Sequence, residues 1–226
     1  MALLLAAALA AWLAPARPAR AEEGSELLRP LAVDLRRLYP DLARRWDAAE
    51  LGRFARARDG FRPVSGFLAV PDAPRAELPA RASGVESIRR GSVTVRRRLV
   101  GAKPAAAVAE AGLLRYRGAY DRTETLFVAG EGAAEPMFLM AGPGSPSTIA
   151  SAVSVEGGRL RSGRDGGLVV RDARGAAALR LPAPVVTDAR GRQRKGTWSL
   201  RGGRKGDYTV VLSFDPSGLA YPLLVQ

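Results

Sequence analysis

The chain has 226 residues, a formal charge of +13 at pH 7, no cysteine and no histidine. Without histidine there is no Ser-His-Asp or Cys-His machinery, no imidazole general base and no His-containing zinc site; without cysteine there is no disulfide framework, so stability has to come from apolar burial and sheet hydrogen bonding. Of the 35 basic residues only Lys103, Lys195 and Lys205 are lysines, and the Arg, Ala and Gly excess is the mark of a GC-rich genome, so the charge reports codon usage as well as attraction to polyanions.

The N-terminus carries the clearest address. The apolar run ending at Leu13 is about a dozen residues long, short of the roughly 20 that a membrane span needs, and Ala19-Arg20-Ala21 ahead of Glu22-Glu23 suits signal-peptidase cleavage. This predicts a signal peptide over 1–21, cleavage near Ala21, and a mature chain in the medium or in the cell envelope, periplasmic or at the outer surface. No Lys or Arg precedes the apolar core, and the alternative is an uncleaved apolar helix tethering the chain to the inner membrane. No further transmembrane span is expected.

Residues 22–60 read as a helical segment. Leu28, Leu31, Leu35, Leu38 and Leu42 recur at spacings of three and four, which places them on one helix face, and Pro40 interrupts the run. A second helix is predicted from Asp41 as N-cap through Trp46 and Phe54, stopping at Asp59-Gly60. The Leu stripe is expected to pack against the chain's own domain.

From Phe61 to Gln226 the texture is that of a β-sandwich domain, with a possible sub-boundary near 71–112. Gly66 to Val70 is a short apolar run, Pro71 to Ala82 suits a linker or irregular loop, and Ala102 to Ala111 a short helix or loop. Val93, Val95 and Leu99 alternate onto one face of a predicted strand over 92–100. Further strands are predicted at 114–120, 124–128, 137–140, 149–155, 159–161, 167–171, 177–181, 184–187, 195–200, 207–214 and 219–225. Turn chemistry separates many of them: Asp165-Gly166-Gly167, Asp172 to Gly175, Asp188 to Gly191, Gly202-Gly203 and Asp215 to Gly218. An Asp opening such a turn accepts the backbone N–H two residues on, and a Gly closing it takes positive φ. Short strands spaced by about 8–12 residues indicate an antiparallel sandwich or meander, not βαβ units. The expected fold class is therefore mainly β, an antiparallel β-sandwich or meander with a short N-terminal helical segment.

Over 114–225 the order of features resembles the N-terminal β-rich domain of large exported surface proteins of Gram-negative bacteria, the type that precedes propeller or integrin-like repeats. The matching segments are Tyr116 to Tyr120 with Glu124 to Phe127, Glu135 to Leu139, the hairpin Asp165 to Gly175, the hairpin Pro182 to Gly191, and the closing Tyr221-Pro222-Leu223-Leu224-Val225. The resemblance implies an exported structural or adhesive module and supplies no catalytic residues. It also implies a continuation past Gln226 with Asp-Pro and a repeat region, so the chain is expected to be either the leading module of a larger protein or a stand-alone version. Residues 25 to 59 do not align with the family.

The sequence offers no catalytic signature. Gly142-Pro143-Gly144-Ser145-Pro146 and Gly202 to Gly206 lack the spacing and the following helix of a nucleotide loop. Asp165 with Asp172, and Asp188 with Asp207, are conceivable carboxylate pairs, yet each sits in or beside a turn where Asp has a local backbone task. No catalytic, cofactor-binding or metal-binding residues are assigned, and no cofactor is expected. Arginines cluster at 96–98, 190–195 and 201–205; the last two groups flank the strand around Trp198, so a hairpin would bring them into one basic patch. The expected function is a non-enzymatic, exported structural or adhesion-type interaction module at the bacterial surface, with other surface proteins or anionic polysaccharide as partners. The alternative is a polyanion-binding domain, for polysaccharide or extracellular nucleic acid, using Arg192, Arg194, Lys195, Arg201, Arg204 and Lys205.

Overall fold

The computed structural model describes Tyr39 and residues 52–65, 72–110, 112–129, 134–203 and 206–226. The predicted signal peptide, most of the predicted helical segment and the apolar run at 66–70 lie outside the described residues. Where they can be compared, the described residues are mainly β, and all strand pairing is antiparallel.

The first strands are β1 (Gly52–Ala57), β2 (Gly60–Ser65), β3 (Arg75–Pro79), β4 (Val85–Arg90) and β5 (Val93–Leu99), which follow one another in an eight-stranded sheet. Residues 52–57, expected to end a helix, form β1 instead. The Asp59-Gly60 pair taken for a helix stop turns a hairpin, in which Phe54 faces Pro63 and Arg56 faces Phe61. That register puts Phe54 against the apolar layer and the Arg56 guanidinium 5.7 Å over the Phe61 ring, contacts that outweigh the helix propensity of the Ala and Arg residues. Tyr39 is in irregular conformation, as expected immediately before Pro40.

Next come β6 (Ala107–Glu110), β7 (Leu113–Tyr120), β8 (Thr123–Ala129) and β9 (Ala134–Met140), a meander in a seven-stranded sheet. β10 (Thr148–Glu156) returns to the first sheet beside β5. A small third sheet follows, built of β11 (Gly158–Ser162), β12 (Leu168–Asp172) and β13 (Ala177–Leu181). β14 (Val185–Thr187), β15 (Gln193–Lys195) and β18 (Leu223–Val225) join the seven-stranded sheet, whereas β16 (Thr197–Gly202) and β17 (Asp207–Ser213) complete the eight-stranded one. Segments expected as linker or loop at 71–82 and 102–111 thus contain β3 and β6.

The single strand predicted over 195–200 divides at Gly196. Upstream of it the chain pairs with β14 in one sheet, and downstream it pairs with β17 in the other. A Cβ at Gly196 would lie 3.1 Å from both the Pro184 Cβ and the Ser213 carbonyl oxygen, so the crossing point is tight on both sides.

Strand alternation builds the layers. Val93, Val95 and Leu99 share a face, as the sequence predicts, and meet Val155 and Val153 of β10 and Tyr208, Val210 and Leu212 of β17. The end of this face nearest Val93 packs on Leu160, Leu168 and Val170 of the small sheet. The end nearest Leu99 packs on Phe138, Met140, Leu223 and Val225 of the seven-stranded sheet. A third cluster joins Phe61 and Leu78 to Leu114, Tyr116 and Phe127, the last two edge to face with centroids 6.0 Å apart.

The turns do what their residues suggest. Asp172 Oδ1 accepts the N–H groups of Arg174 and Ala176 at 2.9 Å, and Gly175 closes that turn at φ 84°. Gly157, at φ 72°, has a second constraint: its Cβ would lie 2.2 Å from the Ser92 carbonyl oxygen. Substitution of Gly175 by Ala therefore carries only the left-handed penalty, about 1 kcal/mol. Substitution of Gly157 by Ala must also push back the β4–β5 turn, and thermal unfolding should show it to be the costlier of the two by at least twofold.

Candidate functional site

The other face of the eight-stranded sheet carries no apolar layer among the described residues. Register places Val85, Arg98, Ala152, Thr209 and Arg201 directly opposite one another across β4, β5, β10, β17 and β16. The neighbouring row runs Ser87, Arg96, Ser154, Asp207. Small side chains at the centre and long ones at the flanks leave a shallow open groove of about 490 Å³. Three arginines, Arg96, Arg98 and Arg201, present their side chains to this face against Asp207 and the Glu156 partner of Arg96, so the field at the groove is positive.

The arginines differ in availability. Arg96 is ion-paired with Glu156, an exposed contact worth little. Arg97 points to the opposite face, where its Nε donates to the buried Glu86 carboxylate at 2.7 Å and its guanidinium lies 5.9 Å over the Phe127 ring. Arg98 and Arg201 are exposed and take no ion-pair partner among the described residues. Three inter-strand steps separate their backbones, about 14 Å. One row further along, Arg75 and Arg89 stand directly opposite each other across β3 and β4, a like-charge pairing that costs stability in the absence of a counter-ion.

The arginines expected to form one patch are dispersed. Arg192, Arg194 and Lys195 belong to the edge of the seven-stranded sheet and Arg201 to the eight-stranded one, while Arg204 and Lys205 lie outside the described residues. Between Lys195 and Arg201 the chain is extended for about 20 Å. Arg194 Nη1 donates at 2.9 Å to both the carboxylate and the carbonyl of Asp215. Arg192 is bound more firmly: its Nε donates to Asp188 Oδ2 at 2.8 Å and its Nη2 to the Gly218 carbonyl at 2.7 Å. Of the described members of the expected set, Arg201 alone lines the groove. Arg98 was legible as part of the arginine run 96–98, because strand alternation puts positions 96 and 98 opposite Val95 and Leu99.

Asp188 is a buried knot. Oδ1 accepts the N–H groups of Arg190 and Arg192, and Oδ2 accepts Ala220 N–H and the Arg192 guanidinium. Burial by itself raises the carboxyl, but the hydrogen bonds from Ala220, Arg192 and Arg190 outweigh it and hold Asp188 well below the usual carboxylate range. Asp165 and Asp172 stand at opposite ends of β12, each bonded to its own turn, and do not converge. Asp207 lies in the other sheet from Asp188. Among the described residues no group of three or more acidic side chains gathers as metal ligands would, and no helix is long and apolar enough to cross a membrane.

A second buried polar group sits in the seven-stranded sheet. Glu124 is fully buried, with Arg115 Nε at 3.4 Å and Arg117 Nε at 3.9 Å. Loss of hydration raises its carboxyl, and the two guanidiniums partly offset this.

The depressed Asp188 carboxyl sets a pH window. A carboxyl whose native pKa is below its unfolded value of about 3.9 adds stability that is fully present above that value and fades as pH falls through it towards the native pKa. Replacement of Asp188 by Asn should lower Tm by several degrees at pH 7. The gap between wild type and D188N should narrow as the pH is taken below about 4; a constant gap from pH 7 to pH 2 would show that the carboxylate charge is not what matters. Comparisons with family models, curated proteins and solved structures find no match to the chain, so its function has to be argued from its own residues.

Proposed function

We propose that this chain is a non-enzymatic, exported interaction module of the bacterial surface that holds anionic polysaccharide across the open face of its eight-stranded sheet. The observation that carries the reading is the row Arg98, Ala152, Thr209, Arg201: two exposed guanidiniums without ion partners among the described residues, on either side of a floor of small side chains. A polymer carrying carboxylate or sulfate groups lies across such a floor and offers each guanidinium a bidentate partner. The opposed Arg75 and Arg89 extend the same field along the sheet.

Polysaccharide is favoured over single-stranded nucleic acid by what the face lacks. Outward positions of β3, β4, β5, β10, β16 and β17 hold Arg, Glu, Ser, Thr, Ala, Val, Asp and Pro, and no aromatic ring on which a base could stack. The signal-like residues 1–21 and the resemblance of residues 114–225 to leading domains of exported surface proteins support the location and the non-enzymatic character.

Heparin binding by the purified chain as a function of salt tests the site. R98Q/R201Q should weaken binding at least tenfold at low salt and reduce the slope of log K against log salt by about two, one for each lost contact. Neutralising Arg194 and Lys195 together should leave binding within twofold of wild type. Equal loss from both double variants, or none from R98Q/R201Q, would remove the groove as the site. Tighter binding of single-stranded DNA than of heparin at matched charge would assign the ligand to nucleic acid.

A further inference from the structure

The small sheet of β11, β12 and β13 has two unlike faces. Leu160, Leu168 and Val170 pack inward on the eight-stranded sheet, with Leu179 and Leu181 beside them. Strand alternation therefore sends Arg159, Arg161, Val169, Arg171 and Arg180 to the outer face. Register sets Arg159 directly opposite Arg171 and strings Arg161, Val169 and Arg180 in one row across the three strands. Neighbouring strands are about 4.8 Å apart and same-face neighbours along a strand about 7 Å, so these four arginines spring from a patch of roughly 10 by 7 Å. All four are exposed, whereas Val169 between them is only 5 % exposed. The described side chains that flank Val169 on this face are the arginines, whose aliphatic stems cover it and hold the guanidiniums above it.

Counter-charge on the patch is scarce. Arg180 pairs with Asp165 at 3.0 Å, an exposed contact, and Arg171 donates to the Gly175 carbonyl at 2.7 Å. Arg159 and Arg161 take no ion-pair partner among the described residues. Like charges set directly opposite each other, as Arg159 and Arg171 are, cost stability that a shared anion restores. The kind of anion follows from what the face lacks. It carries no aromatic ring for a base to stack on, and its valine lies beneath the arginines, so it offers a bilayer no apolar side chain to insert.

We infer that the outer face of the three-stranded sheet is a second binding surface for anionic polysaccharide, back to back with the groove, so that one molecule bridges two polymer strands. The bridge rests on the groove reading; the second surface does not. Val153 and Val210 follow Ala152 and Thr209 of the groove in sequence and point the other way, onto the small sheet. The two arginine faces are thus on opposite sides of a pair of sheets stacked about 10 Å apart. Hydrogen bonds fasten the pair: Leu160 N–H donates to Tyr208 Oη at 3.2 Å, Arg90 Nη1 to the Ala178 carbonyl at 2.9 Å, and Trp198 Nε1 to the Pro182 carbonyl at 2.8 Å. A short oligosaccharide held at one face is separated from the other by both sheets.

Calorimetric titration of the full chain with a heparin hexasaccharide counts the surfaces. Wild type should bind two per chain. R159Q/R161Q, which removes one exposed guanidinium from each row, should bind one, with the affinity of the remaining site within twofold of its wild-type value and Tm unchanged. R98Q/R201Q should also bind one. Light scattering with long-chain heparin should be strong for wild type and at least fivefold weaker for either double variant, because each has only one face left. One hexasaccharide bound by wild type and still bound by R159Q/R161Q would overturn the second surface. One bound by wild type, kept by R98Q/R201Q and lost in R159Q/R161Q, would instead overturn the groove and with it the bridge. Sedimentation with vesicles of anionic phospholipid that requires Arg159 and Arg161, in the absence of a second hexasaccharide, would give the face to a membrane and overturn its assignment to polysaccharide.

Discussion

Every residue of β8, from Thr123 to Ala129, is buried, and that one fact constrains the rest of the molecule. A strand presents successive side chains to opposite faces, so a strand buried throughout needs a covering layer on each side. The inner layer is the eight-stranded sheet, reached through Phe127 and its neighbours. An antiparallel sheet covered on only one face would read as apolar and polar in alternation; β8 instead reads Thr-Glu-Thr-Leu-Phe-Val-Ala, with its one charge paired to Arg115 across the sheet. The need for a cover on the second face follows from the sheet itself.

Without disulfides the fold relies on buried polar knots to fix what apolar burial leaves free. Hydrophobic contact is non-directional, so it does not choose a strand register or hold a loop. Asp188 does both: it accepts four hydrogen bonds that hold the β14–β15 turn and, from Ala220 N–H, tie that turn to the loop before β18, while its partner Arg192 donates to the Gly218 carbonyl of the same loop. Glu86 and Arg97 pair directly across β4 and β5 on the inner face of the eight-stranded sheet, and beside them Tyr116 of the seven-stranded sheet donates to the Pro79 carbonyl at 2.6 Å, a bond from one sheet to the other. Such groups add little net stability over apolar isosteres, but removing one partner strands a charge in the interior.

Charge on this chain divides by availability. Some arginines serve as internal cross-links, as Arg97 and Arg192 do, or are paired at the surface, as Arg96 and Arg194 are. Net charge alone does not separate these classes. What singles out Arg98 and Arg201 is position: opposite faces of a strand see different environments, and these two occupy the face that no described layer covers.

Local interactions made much of the chain legible in its sequence. The Asp-to-Gly turns at 172–175 and 188–191 work through bonds spanning two to four residues and a single positive φ, so they are visible in any window that contains them. Strand β5 was likewise readable from alternation, β8 and β9 as short apolar runs, and β10, β12, β13 and β17 from the turns that flank them. Tertiary structure alone decided which strand joins which sheet. β5 pairs with β10 across roughly fifty residues, β1 forms where a helix was expected, and one extended run splits at Gly196 between two sheets. It also decided that Arg192 is a clamp, whereas Arg98 has no ion-pair partner among the described residues. Pairing energy is spent on partners distant in sequence, and whether an arginine meets a carboxylate or open solvent depends on those partners and not on its neighbours along the chain.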